Sequence, residues 1–259
     1  MYATERRELI ERVLHEDGRI VVTEVAARLG VTTETVRRDL LVLEEAGILR
    51  RVHGGAVAAE RGSLAEASLR ERTAQHGAAK SAIAARALRA LGDVFTGSLL
   101  LDAGTTTGAL AAILPRRLAG TGAEVVTHAV ALAAELAGVD GLGLTTLGGR
   151  VRSITGAAVG SSTVAEIDRL RPDVAFVGTN GLSAGFGLST PDPSEAEVKR
   201  AIIASARRVI LLADASKFGV ETLVQVARLD EIDVLVTDMA PEAELAEALE
   251  AAGVEVWLA

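Results

Sequence analysis

Residues 23–40, TEVAARLGVTTETVRRDL, decide the fold of the N-terminal part of this chain, because they hold two short helical patterns around a tight turn. Thr23 is placed to cap the first helix, and Gly30 suits the left-handed conformation in which helices often end. Thr32 or Thr33 can cap the second helix. Two helices joined in this way are typical of a helix-turn-helix.

The helix after the turn separates buried from exposed residues by its spacing. Val36, Leu40 and Leu43 recur at intervals of four and three, which predicts one apolar face. The first turns of the opposite face carry polar side chains, namely Thr33, Thr35, Arg37 and Arg38. In a helix-turn-helix these turns approach base edges in the major groove, where arginine can bond guanine through two hydrogen bonds. We therefore predict a helix-turn-helix over about residues 20–39, with a solvated helix face as the alternative interpretation.

A basic hairpin is predicted directly after this helix. Ile48, Leu49 and Val52 can anchor its strands, and Gly54 with Gly55 can form its turn. Three basic side chains would then be free to contact phosphates or the minor groove, namely Arg50, Arg51 and His53. His53 is equally consistent with an ordinary surface residue. The hairpin adds a β wing and predicts an α+β winged helix-turn-helix domain over residues 1–57 that binds duplex DNA, with Thr23 and Gly54 among its contacts.

The amino-acid composition excludes several kinds of functional site and a membrane location. Cysteine is absent from the 259 residues, which excludes disulfide bonds, a thiol nucleophile and a thiolate zinc site, and we expect no metal or cofactor. No apolar run reaches the roughly 18 residues of a membrane span and no signal segment opens the chain, so we expect a cytoplasmic protein without a membrane partner. The net charge of −8 lies mostly outside residues 1–57, which hold nine basic and ten acidic residues.

A second domain is predicted over residues 78–259, after a polar linker at 58–77. Helical patterns there alternate with short apolar strands at 98–101, 124–127, 144–147, 174–178, 209–213, 234–237 and 254–258. Such alternation, with strands that are apolar on both faces, predicts an α/β domain with a mainly parallel sheet. In sheets of this kind ligands bind beyond the carboxyl ends of the strands.

The residues after the first of these strands, Asp102-Ala-Gly-Thr-Thr-Thr107, open directly into a helix. Gly104 would let a ligand approach the backbone. The hydroxyl and N–H groups of Thr105, Thr106 and Thr107 then predict a phosphate cradle at the start of the helix. A hydroxyl-rich helix cap without a ligand is the alternative.

Other strand ends, and one helix, carry glycine loops or charged side chains. The residues concerned are Gly148, Gly149, Asn180, Gly181, Glu197, Lys199, Asp214 and Lys217. The lysines could offset the negative charge of a ligand, and Asp102 with Asp214 could accept hydrogen bonds from sugar hydroxyls. Each could instead form an ordinary surface ion pair. Their convergence on one edge of the sheet predicts an anionic, sugar-like ligand.

Two groups of motifs resemble one family. TTETVRRDLLVLEEAGILRRVHGGA, at residues 32–56, resembles the DNA-binding end of DeoR-type bacterial transcription regulators. DAGTTT, GTNGL, EAEVKRA and LLADASKFG resemble their C-terminal sensor domain, so the similarity covers nearly the whole chain. The resemblance implies a fold related to ribose-5-phosphate isomerase and the CoA-transferases, a repressor, and a phosphorylated sugar or sugar alcohol as inducer. It also places the inducer phosphate on Gly104 to Thr107 and the sugar near Asp102, Asn180, Gly181, Lys199 and Lys217.

One position departs from the family pattern. Many members read Val-Thr-Asn-Ser after the second strand, whereas this chain has Val126-Thr-His-Ala129. His128 would face the same cleft and could change which sugar fits. It could equally be an outer histidine without a role.

The isomerase relationship makes a sugar-phosphate isomerase the competing hypothesis. Ribose-5-phosphate isomerases carry an Asp-Gly-Ala-Asp loop and a glutamate base. This chain has Gly178-Thr-Asn-Gly181 where that loop would fall. It has Lys199-Arg200 where the helix should bring the glutamate, although Glu197 is near. We therefore predict a binding pocket without an acid–base set, and not an enzyme.

The expected partners follow from the same reasoning. A single helix-turn-helix reads only a few base pairs, so we expect a homodimer or tetramer formed mainly through the second domain. Residues 176–201 most resemble regulators of fructose utilisation in high-GC Gram-positive bacteria, which makes fructose 1-phosphate the leading inducer. Other phosphorylated ketoses, tagatose or galactitol derivatives and glycerol 3-phosphate are the alternatives.

Overall fold

The computed structural model describes residues 2–17, 19–52, 54–58, 63–64, 66, 68–92 and 94–259. The chain divides into two units, Met1–Gly62 and Ser63–Ala259. Each unit has a hydrophobic core of its own. Every helix in the described ranges is too short or too polar to span a bilayer.

The first unit consists of helices around a small antiparallel sheet. Its elements are α1 (Ala3–Asp17), β1 (Arg19–Val21), α2 (Val22–Leu29), α3 (Thr33–Glu45), β2 (Leu49–Val52) and β3 (Gly55–Ala58). The strands lie in the order β1-β3-β2. Gly30 ends α2 with φ +64, and the Thr32 side chain caps α3 by accepting a hydrogen bond from the Thr35 N–H at 3.2 Å. The helix-turn-helix and wing of the sequence prediction are confirmed.

Three details of this unit differ from the prediction. Thr23 does not cap α2, because the helix begins at Val22, which is buried, and Val21 is the residue before it. Val52 is 40% exposed at the end of β2 and does not anchor the wing. Gly55 lies within β3 and not in the turn. A Cβ atom on Gly55 would lie 1.8 Å from the Ile20 carbonyl oxygen, so the close approach of β1 requires glycine there.

The second unit alternates helices with strands. Its helices are α4 (Leu69–Ala74), α5 (Gly77–Leu88), α6 (Thr105–Ala111), α7 (Pro115–Leu118), α8 (Val130–Leu136), α9 (Ser161–Ile167), α10 (Pro193–Ser205) and α11 (Ala243–Ala251). Its strands are β4 (Ser98–Leu101), β5 (Glu124–Thr127), β6 (Gly143–Thr146), β7 (Arg150–Arg152), β8 (Ala157–Val159), β9 (Val174–Gly178), β10 (Gly181–Ser183), β11 (Gly187–Thr190), β12 (Val209–Leu212), β13 (Val224–Ala227), β14 (Val234–Thr237) and β15 (Glu255–Leu258). Short 3-10 turns occupy Arg89–Leu91, Ala215–Lys217 and Leu229–Glu231.

A parallel sheet forms the centre of this unit. In the described residues it has seven strands in the order β15-β14-β12-β9-β4-β5-β6. Helices α5, α6 and α8 contribute to the core on the face that carries Leu99, Leu101 and Phe176. Helices α9, α10 and α11 contribute to the core on the face that carries Leu100 and Val177. The predicted α/β domain with a mainly parallel sheet is confirmed.

Smaller elements lie where the sequence suggested loops or a linker. Strands β7 and β8 form an antiparallel hairpin, and β10, β11 and β13 form a separate antiparallel sheet. These strands are three or four residues long, too short for a periodic pattern to be recognised. Helix α4 lies inside the range predicted as a linker, and a capping box between Ser68 and Glu71 begins it.

Candidate functional site

Helix α3 presents a polar face at its N-terminal end. Val36, Leu40 and Leu43 are buried, whereas Arg37 and Arg38 are exposed. Arg37 forms only a loose pair with Glu34, with 3.8 Å between Nη1 and Oε2 and more than 60% of both side chains exposed. Thr33 and Thr35 are partly exposed in the same turns. The helix therefore offers hydrogen-bonding groups that are not committed to the fold.

An ion pair fixes α3 against α1. The guanidinium of Arg6 donates to both carboxylate oxygens of Asp39, with Nε 2.5 Å from Oδ2 and Nη2 3.1 Å from Oδ1. Asp39 is only 5% exposed. The sequence analysis did not single out this pair, because two charges on different helices carry no local signal. The pair holds α3 in one orientation within the first unit.

The wing is attached to α3 through Arg51. Its Nε lies 2.6 Å from Oε2 of Glu44, and its main-chain N–H donates to Oε1 at 2.9 Å. These hydrogen bonds lower the pKa of Glu44. Arg51 is therefore not free, in contrast to the sequence prediction, because the acidic end of α3 reaches it. The side chain of Arg50 and all of His53 lie outside the described residues, while Thr23 and Gly54 are exposed.

The second unit has a cavity at the carboxyl ends of β4, β9 and β12. Its empty volume is about 600 Å³, part of it open to solvent. The residues from the sequence prediction that line it are Gly104, Thr105, Thr106, Thr107, Asn180, Lys199, Asp214 and Lys217. They come from four separate segments, which the parallel strand order brings to one edge of the sheet.

The loop before α6 forms one wall of the cavity. The first turn of a helix leaves its N–H groups without partners inside the helix, and Thr105 to Thr107 supply these groups here. The Thr107 hydroxyl is turned inward and donates to the Gly104 carbonyl oxygen at 3.0 Å. Thr106 lines the cavity and is 8% exposed. This wall therefore offers hydrogen-bond donors to an anion.

Asp102 lies beneath the cavity and does not line it. The carboxylate is fully buried, and Oδ2 accepts hydrogen bonds from Lys199 Nζ and, at 2.9 Å, from the Gly178 N–H. Burial alone would raise the pKa of Asp102, but the charge of Lys199 and hydrogen bonds from Lys199 and His128 lower the pKa to about 2. Asp102 holds Lys199 at the end of β9, which differs from the predicted contact with sugar hydroxyls.

His128 is buried behind the same wall and faces neither the cavity nor solvent. Its Nε2 lies 3.1 Å from the Ala103 main-chain nitrogen and 3.2 Å from Oδ1 of Asp102, and its Nδ1 lies 2.8 Å from the Ala158 carbonyl oxygen. Neither sequence interpretation of His128 matches this position. The ring connects the loop after β4 to strand β8.

Two of the three other glycines predicted at the site are required by close packing. A Cβ atom on Gly149 would lie 2.1 Å from the Thr163 hydroxyl oxygen, which donates to the Gly148 carbonyl oxygen at 2.7 Å. Gly149 therefore lets the loop after β6 pack on α9, whereas a Cβ atom on Gly148 would meet open space. A Cβ atom on Gly181 would lie 2.2 Å from the Val220 carbonyl oxygen. None of these three glycines lines the cavity.

Helix α10 places Glu195, and not Glu197, in the cavity. Glu195 precedes Lys199 by four residues, and that spacing puts both side chains on one face of the helix. Both line the cavity and are buried. Glu197 points away from this face and is exposed.

One wall of the cavity was missed by the sequence analysis. It comprises Arg72, Gln75, His76 and Lys80, at the C-terminal end of α4 and the start of α5. Lys80 is 6% exposed, and its Nζ donates to the carbonyl oxygens of Arg72 and, at 2.7 Å, of Gln75. Burial lowers the pKa of Lys80 to about 8, with Asp214 opposing and Lys217 and Arg72 adding to the shift. Its spacing from the buried Ile83, Ala84 and Ala87 was the available signal.

Two buried polar atoms at the cavity have no hydrogen-bond partner among the described residues. They are Nε of Arg72 and Oδ2 of Asp214. The other oxygen of Asp214 accepts hydrogen bonds from Ser216. Burial would raise the pKa of Asp214, but nearby cations, Lys217 first among them, lower it. Because buried polar groups in folded proteins are nearly always paired, these atoms are available to a polar ligand or to ordered water.

Comparisons with known proteins agree along nearly the whole chain. Residues 6–61 match the DeoR-like helix-turn-helix domain, and residues 75–239 match the DeoR C terminal sensor domain. The chain is 38% identical over 254 residues to the HTH-type transcriptional regulator GlpR of Haloferax volcanii, covering 98% of this chain and 96% of that protein. It is 32% identical over 237 residues to the glycerol-3-phosphate regulon repressor of Haemophilus influenzae, covering 92% and 90%.

Among solved structures, ribose 5-phosphate isomerase A of Methanocaldococcus jannaschii is similar over 54% of this chain and 53% of that chain, with 16% identity and a TM-score of 0.39. The two matched domains and the regulators that share this chain's length set aside the isomerase alternative, so the protein is not an enzyme. The chain belongs to the DeoR family of helix-turn-helix transcriptional regulators.

Proposed function

We propose that the protein represses a sugar-catabolic operon and leaves its operator DNA when a phosphorylated sugar binds the cavity of the second unit. The charge of the cavity carries this proposal. Among the lining charges, Lys199 is paired with Asp102 and Glu195 with Arg152. Arg72, Lys80 and Lys217 are then opposed by Asp214. Such a surplus of positive charge favours an anion.

The phosphate is proposed to bind the N–H groups of Thr105 to Thr107, with Thr106 adding its hydroxyl. Lys80 and Lys217 balance the charge from the opposite side. The sugar then lies towards Asn180 and the unpaired Oδ2 of Asp214, which can accept a hydrogen bond from a sugar hydroxyl. This arrangement would give Oδ2 of Asp214 a partner.

Fructose 1-phosphate is proposed as the inducer, on the resemblance of residues 176–201 to regulators of fructose utilisation. Glycerol 3-phosphate is the second candidate, because the similar protein of Haemophilus influenzae is a glycerol-3-phosphate regulon repressor. Both ligands share a phosphate monoester and a neighbouring hydroxyl group. The positively charged wall of the cavity therefore does not distinguish the two compounds. The residues that face the sugar must distinguish them.

The first unit is proposed to place the N-terminal end of α3 in the major groove. Arg37 and Arg38 would contact base edges or phosphates there, and the wing would lie against the backbone. Two copies of the chain would bind two half-sites, which compensates for the few base pairs that one helix reads.

A thermal-shift panel tests the ligand. It contains fructose 1-phosphate, tagatose 6-phosphate, galactitol 1-phosphate, glycerol 3-phosphate, ribose 5-phosphate and inorganic phosphate. Fructose 1-phosphate is expected to raise the melting temperature most, because a ligand that binds only the folded state stabilises it. A nuclease footprint on the DNA upstream of the gene then tests whether the same compound releases the protein. Turnover of ribose 5-phosphate, or a footprint that no compound of the panel changes, would contradict the proposal.

A further inference from the structure

Arg152, at the end of β7, bonds acidic side chains from separate segments. Its Nη2 lies 2.6 Å from Oε2 of Glu66, its Nη1 lies 3.2 Å from Oε1 of Glu195, and its Nε lies 3.1 Å from Oδ2 of Asp192. Only 19% of the Arg152 side chain is exposed, and those of Glu66 and Glu195 are buried. The hydrogen bond with Glu66, together with the other carboxylates, raises the pKa of Arg152, which stays charged.

Two of these partners, Glu66 and Glu195, lie in parts of the second unit for which different roles are proposed. Glu66 lies in the connecting segment, by which we mean the described residues between Ser63 and Leu69 that begin the second unit. Two backbone hydrogen bonds of 3.0 Å also attach this segment, from the Leu223 N–H to the Ser63 carbonyl and from the Leu69 N–H to the Ile154 carbonyl. Glu195 lines the cavity.

The cluster is poised to respond to a ligand, because one guanidinium serves three carboxylates. Oε1 of Glu195 accepts both from Arg152 and from the Thr155 hydroxyl at 2.5 Å. A ligand hydroxyl that donates to the Glu195 carboxylate competes with these two donors. When Glu195 turns to the ligand, Arg152 keeps Glu66 and Asp192 as its partners. The strength of its bond to Glu66, and thus to the connecting segment, changes.

We propose that Arg152 is the positioning residue that couples ligand binding at Glu195 to the attachment of the connecting segment, and through that segment to the release of DNA. This inference rests on the proposed function. It assigns the transmission of the signal to a side chain that touches neither the ligand cavity nor the DNA-binding helix.

The variant Glu66→Gln tests this coupling, because it removes one charge and leaves the cavity lining intact. Operator affinity is measured by fluorescence anisotropy with and without saturating fructose 1-phosphate, or the panel compound with the largest thermal shift. Calorimetry gives the affinity for that compound. In the wild-type protein the compound is expected to weaken operator binding by about 5- to 150-fold, the usual range of allosteric coupling. In Glu66→Gln that factor is expected to fall below about twofold, with both separate affinities nearly unchanged.

A second variant and a control separate coupling from stability. Arg152→Met is expected to lose the coupling too, but it leaves buried carboxylates unpaired and is less stable. Arg228→Met removes an exposed arginine that is paired with Asp230, and it is expected to keep the full response. A Glu66→Gln protein that responds like the wild type overturns the inference and leaves the proposed function standing. A wild-type protein that no panel compound releases from DNA overturns both.

Discussion

Helix α3 and the ligand cavity differ in how their positively charged side chains are exposed and paired. On α3, Arg37 and Arg38 are exposed, and the ion pair between Arg37 and Glu34 is loose. In the cavity, Lys80 and Lys199 are buried and bonded to carbonyl or carboxylate oxygens. An exposed arginine costs the fold little and stays available to DNA, whereas a buried lysine is tolerated only where its partners are held in place. Under the proposed function, DNA recognition would thus use exposed side chains of one helix and its wing, and ligand recognition the ends of three strands with the helices beside them.

Among the substitutions that test this difference, the largest expected effect is on the stability of the second unit. Lys199→Met would leave the Asp102 carboxylate buried without its cation, at a cost of about 3–5 kcal/mol in the free energy of unfolding. Denaturant unfolding followed by circular dichroism measures the change. Lys217→Met is the matched control, because Lys217 is partly exposed and should cost far less. Equal losses for both variants would show that burial does not distinguish the two lysines.

Removing an exposed arginine should affect DNA binding alone. Arg38→Ala is expected to weaken operator binding by about 1–3 kcal/mol, because a base or phosphate contact is lost. Sugar-phosphate affinity and stability should not change. Arg116→Ala, an exposed arginine on α7, is the control and should bind the operator normally. Equal loss of operator and sugar-phosphate binding in Arg38→Ala would refute the division of tasks between the two units.

The reverse pattern is expected at the cavity wall. Thr106→Ala removes one hydroxyl donor and should weaken sugar-phosphate binding by about 1 kcal/mol, the usual value of one hydrogen bond. Operator affinity in the absence of ligand should stay the same. Calorimetry and anisotropy measure the two affinities, with Thr145→Ala on the exposed part of β6 as control. Unchanged sugar-phosphate binding would exclude a direct contact with Thr106.

The smallest expected effect is a pH dependence from Lys80. Its pKa of about 8 lies below the ordinary value of 10.5, so the folded protein loses this positive charge as the pH rises through 8. Affinity for a sugar phosphate should therefore fall by a few-fold between about pH 7 and pH 9, and binding near pH 8 should take up protons. Calorimetry in two buffers of different ionisation enthalpy detects that uptake. Lys80→Met should remove both effects; an unchanged pH profile in this variant would assign them to another group.

Local pattern accounted for much of the first unit. The cap at Gly30 and the buried face of Val36, Leu40 and Leu43 follow from chain conformation and helical period, which act within a few residues. The Arg6–Asp39 and Arg51–Glu44 pairs could not be anticipated, because each depends on how two separate elements pack. The first joins residues 33 positions apart, and the second joins two consecutive elements across a turn. For the same reason Arg51 is bonded within the wing and helix, where the sequence suggested that it was free.

The sequence alone was sufficient for the identity of the two units, the parallel strands, and the strand-end segments that supply the cavity, because apolar periodicity and strand-end motifs are local properties. Only the tertiary structure decided how deeply each side chain is buried. It placed Asp102 beneath the cavity, Glu195 in the cavity in place of Glu197, and Lys80 in the cavity wall. A charged side chain is buried only where partners from other elements meet it, and that meeting is set by how strands and helices pack.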